Sequence, residues 1–187
     1  MEKILEVRWH GRGGQGAWTA SELLARAAIA EGKFIQSFPE FGPERMGAPV
    51  TAFTRISTQP IRIHCAVYNP DVVAVLDPTL LKSVNVADGL DEKNGNIIVN
   101  TQENPVEVRK MLESSAGKVW TIKASEISMK ILGMPITNTV MLGAVARVTR
   151  IVSLETVEKM INERFRADVA AKNFAVVKEA YQGVKSE

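Results

Sequence analysis

A glycine-rich stretch near the start of the chain has residue types and a spacing suited to binding an anion. It follows the apolar run at residues 4–9 and precedes a helix-like segment from residue 17 to about residue 31. Glycine permits sharp turns and close approach of backbone N–H groups, and the start of the next helix adds partial positive charge. The stretch is therefore predicted to form a site for a phosphate or another anion. Its residues are Gly11, Arg12, Gly13, Gly14, Gln15 and Gly16.

Two nucleotide-binding motifs share part of this spacing, and the sequence completes neither. Gly11, Gly13 and Gly16 match the dinucleotide fingerprint, which also requires an acidic residue about 20 residues later. The second predicted strand, residues 33–38, has no carboxylate, and the first one after it is Glu40. The P-loop motif requires lysine and a hydroxyl residue directly after its last glycine, where this chain has alanine and tryptophan. The alternative is a tight strand-to-helix turn that binds nothing.

A second unusual segment, residues 37–49, contains three prolines, two glycines and three charged residues. Proline lacks a backbone N–H and is excluded from helix interiors and central strands. We therefore predict a stiff, exposed loop. Such loops on a folded scaffold often carry binding residues.

The histidines and the cysteine do not form a catalytic constellation. His10 and His64 are the only histidines, and Cys65 is the only cysteine. A single thiol cannot form an intrachain disulfide or hold an iron–sulfur cluster, which commonly takes four thiolates. Adjacent side chains in a strand point to opposite faces, so His64 and Cys65 are not predicted to form a dyad, and Cys65 is predicted to be a packed or edge-strand residue. No catalytic and no metal-binding residue is predicted on this chain.

The bulk composition is that of an ordinary globular protein. The chain has 187 residues, of which 45% are hydrophobic and 24% charged, and its formal net charge is +2. This length accommodates one domain with a real core, here predicted over residues 1–187. The small net charge gives no reason to expect a nucleic acid or a membrane surface as partner. No apolar run approaches the ~20 residues of a membrane helix, and no signal peptide is recognisable.

Short apolar runs that alternate with helical segments predict an α/β fold. The predicted strands after the glycine stretch are residues 50–56 and 61–64, paired as a hairpin, then 72–76, 97–100 and 118–122. Helices are predicted at residues 78–84, 105–112 and 124–132. We expect a doubly wound, mostly parallel, Rossmann-like sheet with helices on both faces. Asp77, after the strand at 72–76, is predicted to cap the next helix, although it could instead face the site.

The last third of the chain is predicted to be helical. The segment Asn138–Thr149 is apolar on nearly every side, which predicts burial within this chain or against another subunit. Ser153 is placed to cap the next helix. A final helix carries an apolar stripe formed by Ala170, Phe174, Val177 and Tyr181. Apolar residues at this spacing are typical of a core.

Several segments, taken together and in order, resemble the gamma subunit of 2-oxoacid:ferredoxin oxidoreductases, of which pyruvate:ferredoxin oxidoreductase is the best-known member. The matching segments are residues 10–16, 36–39, 42–45, 47–49 and 53–57. Asn138 and Gly143 also match a recurrent pattern of the family. The chain length and the order of its elements fit the same subunit.

The resemblance implies a supporting role in a cytoplasmic complex whose expected substrate is pyruvate. Enzymes of this family oxidatively decarboxylate a 2-oxoacid on thiamine diphosphate with Mg, pass electrons through [4Fe–4S] clusters to ferredoxin, and release acyl-coenzyme A. In the family, alpha and beta subunits form the thiamine site, the delta subunit carries the clusters, and gamma packs against that core. This chain is therefore expected to hold none of these cofactors tightly by itself.

The resemblance also suggests a ligand for the glycine stretch. Coenzyme A must reach the thiamine site, and its phosphates need N–H groups and cations. Residues 11–16 offer N–H groups, Arg12 and Arg45 offer charge, and Glu44 lies beside Arg45. Alternatively, Arg45 pairs with Glu40 or Glu44 and only stiffens an interface loop. Two other functions stay open: a stand-alone dinucleotide-binding oxidoreductase and a purely structural scaffold.

Overall fold

The computed structural model describes residues 4–40, 46–112 and 114–187, and a seven-stranded sheet forms its centre. The strands are β1 (Leu5–Arg12), β2 (Phe34–Glu40), β3 (Pro49–Ser57), β4 (Val72–Val75), β5 (Asn96–Asn100), β6 (Lys118–Ile122) and β7 (Lys185–Ser186). The helices are α1 (Ala17–Ala30), α2 (Pro105–Leu112), α3 (Ala124–Leu132), α4 (Asn138–Thr149), α5 (Leu154–Arg164) and α6 (Ala167–Gly183). These elements confirm the predicted α/β class and the helical last third.

The sheet is parallel at its centre and antiparallel at both sides. Its strand order is β2-β3-β1-β4-β5-β6-β7. The neighbours β1, β4, β5 and β6 pair in parallel, whereas β3 is antiparallel to β1 and β2, and β7 is antiparallel to β6. All four residues of β4 are buried, as expected for a central strand covered on both faces.

The predicted hairpin is wrong. Residues 61–64 form no strand, and the segment between β3 and β4 is irregular. The physical reason is that β3 has no open edge, because it pairs with β2 on one side and β1 on the other. Cys65 consequently lies in an exposed, irregular segment, which corrects its assignment as a packed or edge-strand residue.

The predicted loop at residues 37–49 is wrong at its beginning and at its end. β2 continues through Pro39 to Glu40, and β3 already begins at Pro49. Proline is tolerated in β2 because that strand lies at the sheet edge. An edge strand has a neighbour on one side only, so a residue whose backbone N–H would face away from that neighbour needs no donor. Residues 41–45 of the predicted loop lie outside the described residues.

Two hydrophobic cores lie on opposite faces of the sheet. The larger packs α1, α3, α4, α5 and α6 against alternate sheet residues such as Trp9 and Ile98. The smaller packs α2 and the 3-10 turn Pro78–Lys82 against the other set, including Val73 and Val99. The prediction of helices on both faces is thus confirmed, with most of the helical mass on one face.

Helix α4 is buried inside this chain. It lies between α1 and α6, and its residues from Thr139 to Ala146 are buried. Of the two predicted environments for this apolar helix, the structure therefore shows the intrachain one. The glycine at position 143 permits close packing, because a Cβ there would lie 2.4 Å from the carbonyl oxygen of Val177 in α6.

The junction between α1 and α5 gives a prediction about acid stability. Glu31 accepts a hydrogen bond from the Ser153 N–H at 2.7 Å and pairs with Lys33 at 2.8 Å, while Lys33 also donates to the Ile151 carbonyl. Burial alone would raise the pKa of Glu31, but hydrogen bonds from Lys33, Ser153 and Thr156 outweigh it and lower the pKa to about 2. The native state therefore favours the charged carboxylate.

This lowered pKa should make Glu31 a source of acid sensitivity. The stability that the charged Glu31 gives to the folded protein is fully present above the ordinary pKa of 4.5. It is lost as the pH falls towards about 2, the pKa in the folded protein. Since 23% of the side chain is exposed, we expect Glu31→Gln to cost about 1–2 kcal/mol of unfolding free energy at pH 7. Urea denaturation at pH 7 and pH 3 should show this difference shrinking at the lower pH. A difference that grew at pH 3 would contradict the prediction.

Candidate anion-binding site

The glycine stretch lies at the topological switch point of the sheet. From β1 the chain first fills positions on one side (β2 and β3) and then on the other (β4, β5 and β6). Ligands of open α/β sheets bind at such a point, outside the carboxyl ends of the parallel strands. The loop after β1 and the turn after β4 both lie there.

The loop is shorter than predicted, because β1 continues through Gly11 to Arg12. Only residues 13–16 form the turn into α1. Gly14 and Gly16 have φ angles of 94° and 78°, in the left-handed region that favours glycine. The Gly13 N–H donates to the Ala48 carbonyl at 2.9 Å, which fixes the loop to the start of β3.

Gln15 and Asp77 connect the loop to the end of β4. The Gln15 side chain accepts from the Arg12 N–H at 2.8 Å and donates to Asp77 at 2.8 Å. Asp77 also accepts from the N–H and the hydroxyl of Thr79. The predicted cap is therefore confirmed, and the alternative holds as well, because the same carboxylate faces the loop.

Arg12 is engaged within the protein. Its Nε lies 3.2 Å from Asp77, and the guanidinium also donates to Thr79 and to the Gly47 carbonyl. Burial alone would raise the pKa of Asp77, but hydrogen bonds from Thr79 and Gln15, together with the charge of Arg12, hold it below its ordinary value. The aspartate is thus charged at neutral pH and offsets much of the positive charge that Arg12 would present to an anion.

Part of the backbone donor set is also in use. The N–H groups of Arg12, Gly13 and Gln15 donate to partners within the protein. The N–H groups of Gly14 and Gly16, with the first turn of α1, are the ones that an anion at this loop would meet. Gly16 is the N-cap of α1 and provides no side-chain cap.

A second helix begins beside the first. A Cβ on Gly16 would lie 2.6 Å from the side-chain nitrogen of Asn138, the first residue of α4. Thr137, the N-cap of α4, makes no side-chain capping bond. The N-termini of α1 and α4 thus meet next to the glycine loop, and each has positive partial charge.

Of the predicted site residues, the structure brings Gly11 to Gly16 together. Glu44 and Arg45 lie outside the described residues. Sequence reasoning missed Thr79 and Asn100. Asn100 is buried and joins the Leu76 carbonyl to Ser125 at the same edge of the sheet. A polar residue at the carboxyl end of an apolar strand was the available signal for Asn100.

His10 has a structural role on the sheet face opposite α1. Its Nε2 accepts from the Nε of Arg8 at 3.1 Å, and Arg8 also donates to the carbonyls of Val86 and Asp88. Burial, and secondarily the charge of Arg8, lower the pKa of His10 to about 3. The imidazole is therefore neutral at physiological pH and orients the buried arginine.

The geometry disfavours dinucleotide binding. Gly11, the first glycine of that fingerprint, is a strand residue paired with Val50 and does not form the turn. The strand β2, where the fingerprint requires an acidic residue, is separated from β1 by β3. A carboxylate at the end of β2 therefore starts about 10 Å away from β1, twice the usual strand spacing.

Within the described ranges, no three His, Cys, Asp or Glu side chains are grouped so that they could hold a metal ion. In the same part of the chain, no helix is both long and apolar enough to cross a membrane.

An α/β sheet with a glycine loop at its switch point is a binding scaffold that many protein families share. Comparison with known proteins identifies the family of this chain. Residues 6–183 match the family described as pyruvate ferredoxin/flavodoxin oxidoreductase, so the chain belongs to that family. The predicted resemblance is thereby confirmed.

Full-length relatives give the subunit type. The chain is 51% identical over 179 residues to the common subunit gamma of pyruvate/ketoisovalerate oxidoreductases from Pyrococcus furiosus, covering 96% of each chain. It is 48% identical over 178 residues to pyruvate synthase subunit PorC of Methanocaldococcus jannaschii, covering 95% of this chain and 96% of the relative. The crystal structure of the pyruvate oxidoreductase subunit PORC from Thermotoga maritima superposes with a TM-score of 0.90 at 43% identity, covering 100% of this chain and 99% of that one.

Proposed function

We propose that this chain is the gamma subunit of a multisubunit, cytoplasmic 2-oxoacid:ferredoxin oxidoreductase that acts on pyruvate. The observation that carries the proposal is the match to gamma subunits along nearly the whole chain, at about half identity. The chain serves in this proposal as one gamma-type α/β domain that packs against alpha, beta and delta subunits and, through the complex, supports electron transfer to ferredoxin.

The redox and thiamine cofactors belong to the partner subunits in this proposal. The donor set of this chain does not fit an iron–sulfur cluster, because the only thiol is Cys65 and a cluster commonly takes four. The described residues also hold no grouped oxygen ligands for the Mg that accompanies thiamine diphosphate. No step of the reaction is therefore assigned to residues of this chain.

The glycine loop is proposed to receive phosphate groups of coenzyme A, whose thiol takes up the acyl group in this enzyme family. Two observations support the fit: among the described residues, the N–H groups of Gly14 and Gly16 make no backbone hydrogen bond, and the N-termini of α1 and α4 converge beside them. The role of this chain would be to hold the phosphates at the switch point of the sheet. Because Asp77 offsets the charge of Arg12, Arg45 is the more important cation in this proposal, and Glu44 precedes it in the sequence.

Steady-state kinetics of the assembled complex test the role of the loop. Arg45→Ala removes a charged hydrogen bond worth about 1.5–3 kcal/mol, so the KM for coenzyme A should rise about 10- to 100-fold. The KM for pyruvate and the subunit composition should not change. The matched control is Arg62→Ala, an exposed arginine on the segment between β3 and β4, which should leave both constants at the wild-type values.

Further variants test whether the loop binds coenzyme A or only packs. Gly13→Asp should block the approach of an anion by bulk and charge, again raising the KM for coenzyme A. Unaltered coenzyme A kinetics in an intact complex carrying Arg12→Ala and Arg45→Ala together would show that the loop serves only as a structural element.

A further inference from the structure

An apolar pocket of about 410 Å³ opens beside the glycine loop, between the α3–α4 connection and the α5–α6 junction. Its walls include Met134, Ile136 and Val169, whose exposed fractions are 49%, 40% and 41%. Asn138 lines the same pocket and contacts the loop at Gly16. The pocket thus adjoins the candidate anion-binding site.

The apolar side chains of the α3–α4 connection are held at the surface by the protein itself. The hydroxyl oxygen of Ser128, which is fully buried, lies 2.7 Å from the Met134 carbonyl oxygen and 2.8 Å from that of Ile136, and its single proton is shared between the two. Gly133 ends α3 in the left-handed conformation, and Pro135 fixes its own φ angle. Because this backbone is already ordered, docking against it would cost little additional entropy.

The charged side chains that line the pocket are basic, and one acidic side chain, Glu22, lies next to one of them. Arg164 and Lys172 line it, and no carboxylate is among the described residues that line it. Arg164 also contacts the Phe165 ring and, at 3.6 Å, Glu22, whereas Lys172 projects from the exposed side of α6. An occupant with an apolar side chain and a nearby carboxylate would match both the walls and the rim.

We propose that this pocket docks another subunit of the same oxidoreductase, through an apolar side chain flanked by Asp or Glu. The inference rests on the proposed function, since it requires that partner subunits exist. Rigid, exposed apolar residues in a pocket are the kind of site that dominates interface energy. Docking here would place the partner against Asn138, so that the glycine loop lies at a subunit boundary.

The test is the affinity of this chain for the remaining subunits, purified as a complex that lacks it. Met134→Asp should weaken binding about 30-fold. Lys172→Glu should weaken it about 10-fold and reduce the dependence of binding on salt. The controls are Met111→Asp, at a methionine 43% exposed on α2 across the sheet, and Lys178→Glu, at an exposed lysine on the same helix as Lys172. Both controls should bind as the wild-type chain does.

The outcomes distinguish this inference from the proposed function. Failure of the wild-type chain to join the remaining subunits would reject the proposed function and, with it, this docking site. Normal assembly of wild type, Met134→Asp and Lys172→Glu would overturn the docking site alone. If size-exclusion chromatography with light scattering showed that Met134→Asp dissolves a homodimer while binding to the other subunits is unchanged, the pocket would be an interface between copies of this chain, and the inference would again be wrong.

Discussion

Replacing Gly143 by alanine is expected to lower the free energy of unfolding by about 3 kcal/mol, although the same change normally stabilises a helix by about 1 kcal/mol. The sign reverses because the new Cβ would lie 2.4 Å from the Val177 carbonyl oxygen and 3.0 Å from its Cα. These are backbone atoms of α6, so no rotamer change relieves the overlap. The two helices must separate, and both belong to the larger core.

Urea denaturation measures this effect, and Gly183→Ala is its matched control. Gly183 is also helical, and a Cβ there would meet, among the described residues, only the Ile122 side chain at an ordinary 3.7 Å. The control should change stability by less than about 1 kcal/mol. A Gly143→Ala protein as stable as wild type would mean that α4 and α6 do not pack as closely as the structure shows.

Removing the Arg55 side chain should have an effect of similar size. The residue is 1% exposed, pairs with Glu6 at 2.6 Å and donates to the carbonyls of Cys65 and Ala66. Its guanidinium also lies 5.6 Å from the centre of the Phe38 ring. Arg55→Ala leaves these partners without a donor and creates a cavity, so we expect a loss of about 3–5 kcal/mol.

The structural consequence of Arg55→Ala should be local as well as global. Arg55 connects the sheet to the irregular segment after β3, so hydrogen exchange at residues around Cys65 should accelerate more than exchange in β4. Arg26→Ala is the control, because that arginine is largely exposed and pairs within one helix turn with Glu22. The control should cost less than about 0.5 kcal/mol. Equal stabilities of the two variants would refute the role given to Arg55.

The elements that the sequence predicts well are those whose residue pattern has one physical solution. An apolar run such as Val72–Val75 is stable only in a strand whose two faces are both covered by other elements. The structure places it in the middle of the sheet. Likewise, Ser153 stands directly before a polar-apolar helical pattern and caps α5 through the Thr156 N–H.

Strand pairing is less predictable, because an alternating strand does not specify its neighbours. The pattern at residues 61–64 is compatible with a hairpin, and it fails only because β2 and β1 already occupy both edges of β3. Pro39 misleads in the same way, since proline is acceptable in a strand once that strand is known to be at an edge. Sheet order is a tertiary property that local pattern does not encode.

Some features of the candidate site can be predicted from the sequence, and others depend on the tertiary structure. Glycine spacing identifies the loop, and an end-of-strand position identifies Asp77. By contrast, the pairing of Arg12 with Asp77, separated by many residues in sequence, depends on β1 and β4 being neighbours. The contact matters for anion binding, because the negative charge of Asp77 offsets much of the positive charge of Arg12. The sequence alone suggests a cation with no such partner.

Reconstitution of the oxidoreductase with and without this chain tests whether the chain is a gamma subunit. Ferredoxin reduction should be measured with pyruvate and coenzyme A, using purified alpha, beta and delta subunits with and without this chain. We expect this chain to join them stoichiometrically and acyl-coenzyme A formation to depend on its presence. Full activity of the complex without this chain, or hydride transfer to a nicotinamide cofactor by the isolated chain, would contradict this expectation.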